Sequence, residues 1–536
     1  MFLKRKFEIF LLIVFFVFSF WLMYKSFGYD ERRHDFRIER HQIGDFGLHL
    51  SLIRSFSWGN NFPVESPFFP GKPFPYHYYF DLVVGLLERT GLRIDMAFNG
   101  VSIVMFTALL FLIYKLPQLI FKKSKLLGII SVILFVFHSN LTFIDFFREK
   151  GLSLSTFRNF WLLPDYIHKG PFDGSIISIF FTLNVYLNQR HLIAAFVISL
   201  AIIYFLLSKL IRAQKISNKT LISLGLVLGI LSRVHTLTFF STMIILFLLF
   251  ILFKRSRLLL SLFIPTVAVF FFYIKDIVGQ DINHVFINPG FLSEKPLSFL
   301  NFISFWGMNL GIAIILIPCG FFLSGKKQKL VFISVFSLFL IGNIFQLSFL
   351  INHNHSLFNL FIIFANFYIA YFLLFIIHKY RNLIGRIIFI FLILLLTMSG
   401  AIDLMAVKND FQFYLNDAPS NKFMQWIKTS TKRGDIFLAK QEILDPVTLS
   451  GRKNYLGHTY YLSVMGYNYQ DRSNRVKLYF EATSQEILQM MKKDNIKYIV
   501  IPQKPIADFT YKINKVFLDR SLKKAYKDKN VIVYRL

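Results

Sequence analysis

The chain has 536 residues, of which 55% are hydrophobic, with a formal net charge of +30 and a mean hydropathy of +0.53. Apolar runs of roughly 17–22 residues, the length that spans a bilayer, recur along the sequence. A soluble core does not need so many runs of that length. The composition therefore excludes an ordinary soluble protein and predicts an α-helical, multi-pass membrane protein.

The excess positive charge lies in short links between the apolar runs. These links contain residues 4–6, 122–125, 209–219, 254–257, 326–329 and 379–386. Cytoplasmic loops of membrane proteins carry such an excess of Lys and Arg, whereas a nucleic-acid interface gathers basic and aromatic residues on one soluble face. We therefore expect a cell-membrane protein with a cytoplasmic N-terminus and no nucleic-acid partner.

Hydropathy predicts about eleven transmembrane helices. The predicted spans are 8–28, 97–119, 125–142, 191–212, 219–234, 236–253, 258–274, 303–323, 330–350, 357–377 and 386–406. Residues 175–189 are also apolar but short, and Asn184 and Asn188 interrupt them. Broken backbone at membrane depth is tolerated where it lines a protein cavity, so this segment is predicted to be re-entrant or interfacial.

The composition changes after residue 406, and two domains are expected. Residues 1–406 form the transmembrane domain, with a first extracytoplasmic loop at 29–96, and residues 407–536 form a small extracytoplasmic α/β domain. In the second domain, "GDIFLA", "KYIVIP" and "NVIVYRL" predict short strands. "TSQEILQMMKKDN" predicts a helix, with Thr483 and Glu486 as a capping box.

The first loop contains "GDFGLHLSLIRSFSWGNNFPVESPFFPGKPFPYHYYFDL". Asp45 and His49 are four residues apart and share one face if this stretch begins with a helix. A carboxylate beside an imidazole can accept a proton from a hydroxyl group. The alternative is that Asp45 only interacts with the helix dipole and His49 is a solvated neighbour.

Several motifs together resemble one superfamily. Asp-x-x-x-His, "GNNFP" and "GKPFPYHY" lie in the first loop, and "LNVYLNQRHLIAAF", "GILSRVHTLTF", "SGAIDL" and "LSGRKNYLG" follow along the chain. This order resembles the GT-C superfamily of membrane glycosyltransferases, in its prokaryotic branch related to protein mannosyltransferases and aminoarabinose transferases. The resemblance implies transfer of a sugar from a polyprenyl-phosphate donor, in cell-envelope glycosylation, to a glycan, lipid or protein acceptor at the bilayer.

The resemblance also implies roles for residues of the first loop. Asp45 corresponds to the acidic residue that acts as the base in an inverting transfer, and His49 is its catalytic neighbour. His77, with Tyr76 before it, is expected to contact substrate. Asp30 and Glu31 are rival acidic candidates, because an acidic pair directly after the first span also occurs in the superfamily.

The leaving phosphate of such a donor needs a cation. Arg190 is the best candidate because guanidinium can bind phosphate through two hydrogen bonds. Gln189 and His191 flank it, and Arg233 and His235 are further candidates for substrate binding. The alternative for these residues is that they extend from the bilayer toward its interface.

The sequence predicts no specific metal site. "NHNHS", with His353 and His355, is a tempting pair of ligands, and oligosaccharyltransferase relatives use a divalent metal held by carboxylates. No clear Asp-x-Asp is present, however, and Leu357 and Phe358 stand where related sequences carry a lysine-like group. No cofactor is assigned, and a divalent metal is left open.

Two other functions fit parts of the sequence. Polar residues within spans, such as Asn343, Gln346 and Asn366, would mark the pathway of a transporter or flippase for carrier-linked intermediates. Transporters usually show internal repeats, which this sequence lacks. A non-catalytic envelope assembly protein on the same scaffold is the second alternative, since fold does not fix function.

Overall fold

The computed structural model describes residues 2–168, 170, 172–274, 285–505 and 509–536. Most of this part is helical. The helices are α1 Phe2–Ser26, α2 Ile43–Ser57, α3 Tyr79–Arg89, α4 Ile94–Phe121, α5 Lys125–Val136, α6 Thr142–Lys150, α7 Leu154–Trp161, α8 Ser178–Phe181, α9 Leu183–Asn188, α10 Arg190–Ile211, α11 Asn218–Val234, α12 Thr236–Leu252, α13 Leu259–Ile274, α14 Phe299–Leu310, α15 Ala313–Leu323, α16 Lys326–Ile344, α17 His355–Lys379, α18 Leu383–Asn409, α19 Lys422–Ser430, α20 Pro446–Leu449, α21 Thr459–Val464, α22 Gln470–Phe480, α23 Gln485–Lys493 and α24 Lys515–Ser521.

The strands are short. They are β1 Phe27–Asp30, β2 Asp35–Glu39, β3 Glu65–Ser66, β4 Phe69–Pro73, β5 Phe286–Ile287, β6 Phe345–Gln346, β7 Gln412–Asn416, β8 Ile436–Leu438, β9 Lys453–Asn454, β10 Ile496–Pro502, β11 Lys523–Lys527 and β12 Val531–Arg535. The three strands predicted in the C-terminal region are confirmed as β8, β10 and β12.

The chain divides into two compact units. One, which we call the helical unit, consists of Met1–Ser26, Ser102–Tyr273 and Asn283–Phe411. The other, which we call the α/β unit, consists of the described residues of Phe27–Val101 and Gln412–Leu536. Most of the first loop therefore shares a unit with the C-terminal residues, although more than 300 positions of sequence separate them.

Each of the eleven segments that hydropathy predicts as spans contains a helix. Within the described residues, seven helices are long and apolar enough to cross a membrane, and an eighth span results if α14 and α15, bent by 86°, count as one. Helices α5, α11 and α12 have 12, 17 and 17 residues. At 1.5 Å per residue they fall short of a bilayer core of about 30 Å, so length gives seven to eight spans where hydropathy predicts eleven.

The predicted break in residues 175–189 is present. This segment forms the two short helices α8 and α9, and Thr182 between them has extended backbone. The extended residue interrupts the helix before it reaches the length of a span.

The α/β unit contains two larger sheets. In the first, β2 lies between β1 and β7, and both pairings are antiparallel. In the second, the strand order is β11-β12-β10-β8-β9, with β8 parallel to both β10 and β9. The first sheet joins the start of the first loop to residues that follow α18.

The predicted capping box at the start of α23 is wrong. The helix begins at Gln485 with Ser484 as its N-cap, and no side chain caps it. Because Ser484 takes the position predicted for Thr483, Glu486 becomes the second helical residue. A capping box needs the acidic residue at the third.

Helix α2 is buried within the α/β unit. Leu48, Leu52 and Phe56 share one apolar core with Leu438 and Leu462 from the C-terminal region. Burying each of these side chains stabilises the fold by about 1.5–3 kcal/mol. The first loop is therefore held by packing against the C-terminal part of the sequence.

A glycine allows α2 and α3 to approach closely. A Cβ atom on Gly85 of α3 would lie 2.8 Å from the carbonyl oxygen of Ile53 in α2. This close approach brings the start of α3, and with it Asp81, beside α2.

Candidate functional site

Helix α2 places Asp45 and His49 one turn apart, as their spacing predicts. Asp45 lies in the first turn of the helix and is half-buried, and His49 is buried. No side chain caps this N-terminus. Helix N-termini favour negative charge, so the position suits a carboxylate.

Asp81 in the first turn of α3 binds His49. Nδ1 of His49 lies 2.9 Å from Oδ2 and 3.2 Å from Oδ1 of Asp81, and both side chains are buried. The carboxylate only accepts hydrogen bonds when ionised, so we assign the proton to Nδ1. Sequence spacing did not identify Asp81, because 32 residues and an aromatic loop separate it from His49.

The charges of Asp45, His49 and Asp81 shift one another's pKa values. Burial raises the pKa of Asp45, and the imidazole of His49 offsets only part of that effect. Burial by itself would lower the pKa of His49, but the charge and hydrogen bond of Asp81, together with the charge of Asp45, raise it. Protonation of His49 is thus favoured, beside a carboxyl group whose pKa is raised above the usual range.

Aromatic side chains surround this carboxyl group. Burial and the negative charge of Asp45 raise the pKa values of Tyr76, Tyr460 and Tyr461. The Tyr461 hydroxyl donates to the carbonyl oxygen of Gly44, next to Asp45. Tyr460 is 57% exposed, so the group borders an accessible surface. No sequence pattern predicted a role for Tyr460 or Tyr461.

His77 belongs to the same unit. Its ring centroid lies 3.6 Å from that of Tyr76, and the side chain is buried. The two predicted substrate-binding residues of the first loop thus contact each other, with their ring planes tilted by 33°.

The rival acidic residues have different surroundings. Oδ1 of Asp30 accepts hydrogen bonds from the backbone N–H groups of Arg32 and Arg33, at 2.9 and 3.2 Å. Glu31 is 72% exposed and pairs with Arg93 at 2.8 Å. These are the contacts of a turn and of a surface ion pair. The assignment of the base to Asp45 stays a prediction.

The predicted donor-binding residues lie in the helical unit, and most of them are buried. Arg190 donates through Nη2 to the Ser26 hydroxyl at 2.8 Å and to the Met23 carbonyl at 3.1 Å. The side chain of Arg190 is 1% exposed. Gln189 Nε2 lies 3.3 Å from Nε2 of His355.

Two further predicted residues contact each other. The rings of His191 and His235 stack with centroids 5.5 Å apart. Nη2 of Arg233 donates to the Tyr273 carbonyl at 2.6 Å. These buried positions are not those of side chains extending into the membrane interface.

The described residues do not fit a metal site. In the parts of the chain that the structure describes, no cluster of three or more His, Cys, Asp or Glu side chains could hold an ion. The two histidines of the "NHNHS" stretch have other contacts. Nδ1 of His353 lies 2.8 Å from the Ser348 hydroxyl, and His355 stacks on Phe180 with ring centroids 5.2 Å apart.

Comparison with known proteins rests on structure. No family model matches the sequence, and no curated protein matches it significantly. The oligosaccharyltransferase AglB from Archaeoglobus fulgidus, in complex with an inhibitory peptide and a dolichol-phosphate, is similar with a TM-score of 0.52 and 12% identity, over 93% of this chain and 70% of AglB. The arabinofuranosyltransferase AftD from Mycobacteria is similar with a TM-score of 0.53 and 12% identity, over 98% of this chain and 41% of AftD.

The chain has a GT-C-like fold. At 11% identity, the apo form of AglB gives the same result, with a TM-score of 0.51 over 93% of this chain and 70% of AglB. The fold and the apolar helices together confirm a multi-pass membrane protein with a small α/β region. The motifs quoted from the sequence were therefore sufficient to predict the fold, although identity is low.

Proposed function

We propose that this protein is a glycosyltransferase that moves a sugar from a polyprenyl-phosphate donor to an acceptor on the extracytoplasmic face, with Asp45 as the base. The observation that carries the proposal is the group formed by Asp45, His49 and Asp81 on a GT-C-like fold. AglB, which shares the fold, forms a complex with a dolichol-phosphate. This supports a lipid-linked donor.

The proposed reaction is a single displacement. A carboxylate oxygen of Asp45 takes the proton from the acceptor nucleophile, which attacks the anomeric carbon of the donor. The bond between that carbon and the phosphate oxygen breaks, and the polyprenyl phosphate leaves with the electron pair. One displacement inverts the configuration at the anomeric carbon.

His49 and Asp81 have a supporting role in this proposal. The hydrogen bond from Nδ1 to Asp81 fixes the orientation of the His49 ring. The protonated ring stabilises the ionised form of Asp45, which is the form that a base needs. A base whose pKa is raised toward the working pH also transfers protons efficiently.

A carboxyl group with a raised pKa is typical of functional sites. The rival Glu31 is paired with a cation, Arg93, and the rival Asp30 accepts hydrogen bonds from backbone N–H groups. Asp45 instead has an imidazole one turn away and phenol groups around it. This difference favours Asp45 over the rival residues.

The test is a transfer assay with purified protein, labelled polyprenyl-phosphate sugars and a panel of glycan, lipid and peptide acceptors. Asp45→Asn removes the base with little change in shape, and we expect turnover to fall by roughly 10²–10⁴. Asp30→Asn and Glu31→Gln are matched controls, because each neutralises an acidic residue outside the group. We expect both controls to retain turnover.

Two results would overturn the proposal. Full turnover in Asp45→Asn with loss in Asp30→Asn or Glu31→Gln would reassign the base. Failure of every lipid-linked donor, with a soluble nucleotide sugar as an effective donor, would refute the donor class.

A further inference from the structure

Helices α6 and α7 of the helical unit, with the turn between them, expose large apolar side chains. Leu152, Leu154 and Phe157 are 88%, 91% and 71% exposed. Trp161 and Leu162 at the end of α7 are more than half exposed as well. Segments in water rarely leave a patch of this kind uncovered. Short amphipathic helices that lie in a membrane interface do so, because the acyl region covers them.

A cavity of about 530 Å³ lies between these two helices and α18. Phe146, Phe157 and Phe160 line one side, and Leu394, Met398 and Ile402 of α18 line the other. Apart from three hydroxyl side chains, the lining is apolar. The volume is that of a typical ligand pocket.

The position of the cavity along α18 matches the depth of a lipid tail. Its lining on that helix extends from Leu394 to Ile402, and α18 is a candidate span that ends at Asn409. At 1.5 Å per residue, the cavity lies about 10–22 Å from the end of the helix. If the end of α18 lies at the membrane surface, that range falls within the hydrocarbon core of a bilayer, which begins about 5–7 Å below the surface.

Basic side chains lie next to the lining residues. Arg148 follows Phe147, Arg158 follows Phe157, and both are exposed. Lys408, at the end of α18, lies with Nζ 4.9 Å from the centroid of the Trp161 ring. Two nearby acidic groups have partners: Asp145 binds His168 at 2.8 Å and also pairs with Arg148 at 3.7 Å, and Glu149 pairs with Lys150. The Arg148 side chain remains 81% exposed in that pair.

We propose that α6, α7 and the second half of α18 bind one acyl chain of an anionic phospholipid, with Arg148, Arg158 and Lys408 at its headgroup. An apolar cavity at tail depth excludes water and accepts a hydrocarbon chain. Cationic side chains at the rim attract an anionic headgroup over a zwitterionic one. This site is independent of the proposed sugar transfer.

The test is native mass spectrometry of the full chain, purified in detergent and incubated with phosphatidylglycerol, phosphatidylethanolamine or a polyprenyl phosphate. We expect one retained phosphatidylglycerol and at least tenfold less phosphatidylethanolamine. Ala401→Trp fills the cavity and should lower phosphatidylglycerol retention at least tenfold. Ile390→Trp is the control, because Ile390 is 56% exposed on the same helix and does not line the cavity.

Two further variants test the proposal if Ala401→Trp fails to fold. Phe157→Gln changes a side chain that is 71% exposed, so it should fold and still lose lipid. The double variant Arg148→Gln with Arg158→Gln should lose most of the preference for phosphatidylglycerol, because only Lys408 then remains at the headgroup. Wild-type retention in Phe157→Gln, equal binding of both phospholipids by the wild type, or displacement of phosphatidylglycerol by the polyprenyl phosphate would each overturn the proposal.

Discussion

Arg54 and Asp417 form a bidentate ion pair across 363 positions of sequence, with both N···O distances at 3.0 Å. The same guanidinium contacts Glu88 through Nε at 2.8 Å and lies 3.4 Å above the centroid of the Trp58 ring. The side chains of Arg54 and Glu88 are each 4% exposed. One buried cation therefore joins α2, α3 and the segment that follows β7.

Removing this cation should destabilise the α/β unit. Arg54→Ala leaves two buried carboxylates without their cation, and loss of one partner of a buried pair typically costs about 3–5 kcal/mol. Arg54→Lys should cost less, although it loses the bidentate geometry. Thermal unfolding of the purified protein checks both.

A surface pair provides the control for that measurement. Lys524 and Asp519 form an ion pair at 2.9 Å with side chains 44% and 35% exposed, and exposed pairs contribute about 0–1 kcal/mol. Lys524→Ala should leave the unfolding midpoint almost unchanged. Equal midpoints for Arg54→Ala and Lys524→Ala would contradict the importance of the buried pair.

Asp81→Asn should change the pH dependence of transfer. Asp81 raises the pKa of His49, so its loss leaves less positive charge beside Asp45, whose pKa burial already raises. The base is active only when ionised, so the acidic limb of kcat/KM against pH should lie above the usual carboxyl range in the wild type. In Asp81→Asn this limb should move to still higher pH.

His49→Gln separates this effect from a general loss of structure. The variant removes the same positive charge directly, so its acidic limb should move in the same direction as that of Asp81→Asn. Asp81→Glu keeps the negative charge and should restore part of the wild-type profile. If Asp81→Asn and His49→Gln both lower kcat but leave the acidic limb of kcat/KM at its wild-type pH, the contact between His49 and Asp81 only stabilises the fold.

Arg190→Ala should weaken use of the donor if Arg190 binds the donor phosphate. Loss of a charge-assisted contact typically costs about 1.5–3 kcal/mol, which is about tenfold to more than a hundredfold. Arg190→Lys should recover only part, because a lysine cannot form the bidentate contact. The donor KM and the thermal midpoint are measured together.

The thermal midpoint must be measured as well because Arg190 also has structural contacts. Arg190 donates to Ser26 and Met23 at the end of α1, so its loss could also loosen the helical unit. Ser26→Ala removes one of these contacts and keeps the guanidinium. A donor KM that rises equally in Ser26→Ala and Arg190→Ala would assign Arg190 to structure.

The distribution of Lys and Arg predicts that the α/β region is extracytoplasmic. Protease added to intact spheroplasts should remove residues after about 410 and leave an N-terminal tag intact. In permeabilised cells the protease should also reach the tag. Protection of the C-terminal residues in intact spheroplasts would reverse the topology and place Asp45 on the cytoplasmic face.

Hydropathy and local spacing predicted the features that depend on neighbouring residues. Each of the eleven apolar segments contains a helix, and Asp45 and His49 lie one turn apart on α2. Helix ends were less predictable, because α5 ends at Val136 and α11 ends at an extended His235 within continuous apolar sequence. Hydropathy does not register such breaks.

The parts of the site that could not be predicted depend on distant contacts. Asp81 lies near the end of the first-loop stretch that contains Asp45, yet only the crossing of α2 and α3 brings it to His49. Tyr461 approaches Asp45 because the C-terminal region packs on α2. Without related sequences to compare, no local pattern reveals either contact.

The pairing of β2 with β7 and the contact of Tyr461 with Gly44 affect how the protein is made. Gly44 and Tyr461 are 417 positions apart. At a synthesis rate of about 5–20 residues per second, Tyr461 is synthesised roughly 20–80 s after Gly44. During that time α2 has emerged without the surface that will cover its apolar side chains. Nascent chains stalled before residue 412 should therefore carry an unprotected first loop, and the site should form only when translation is nearly finished.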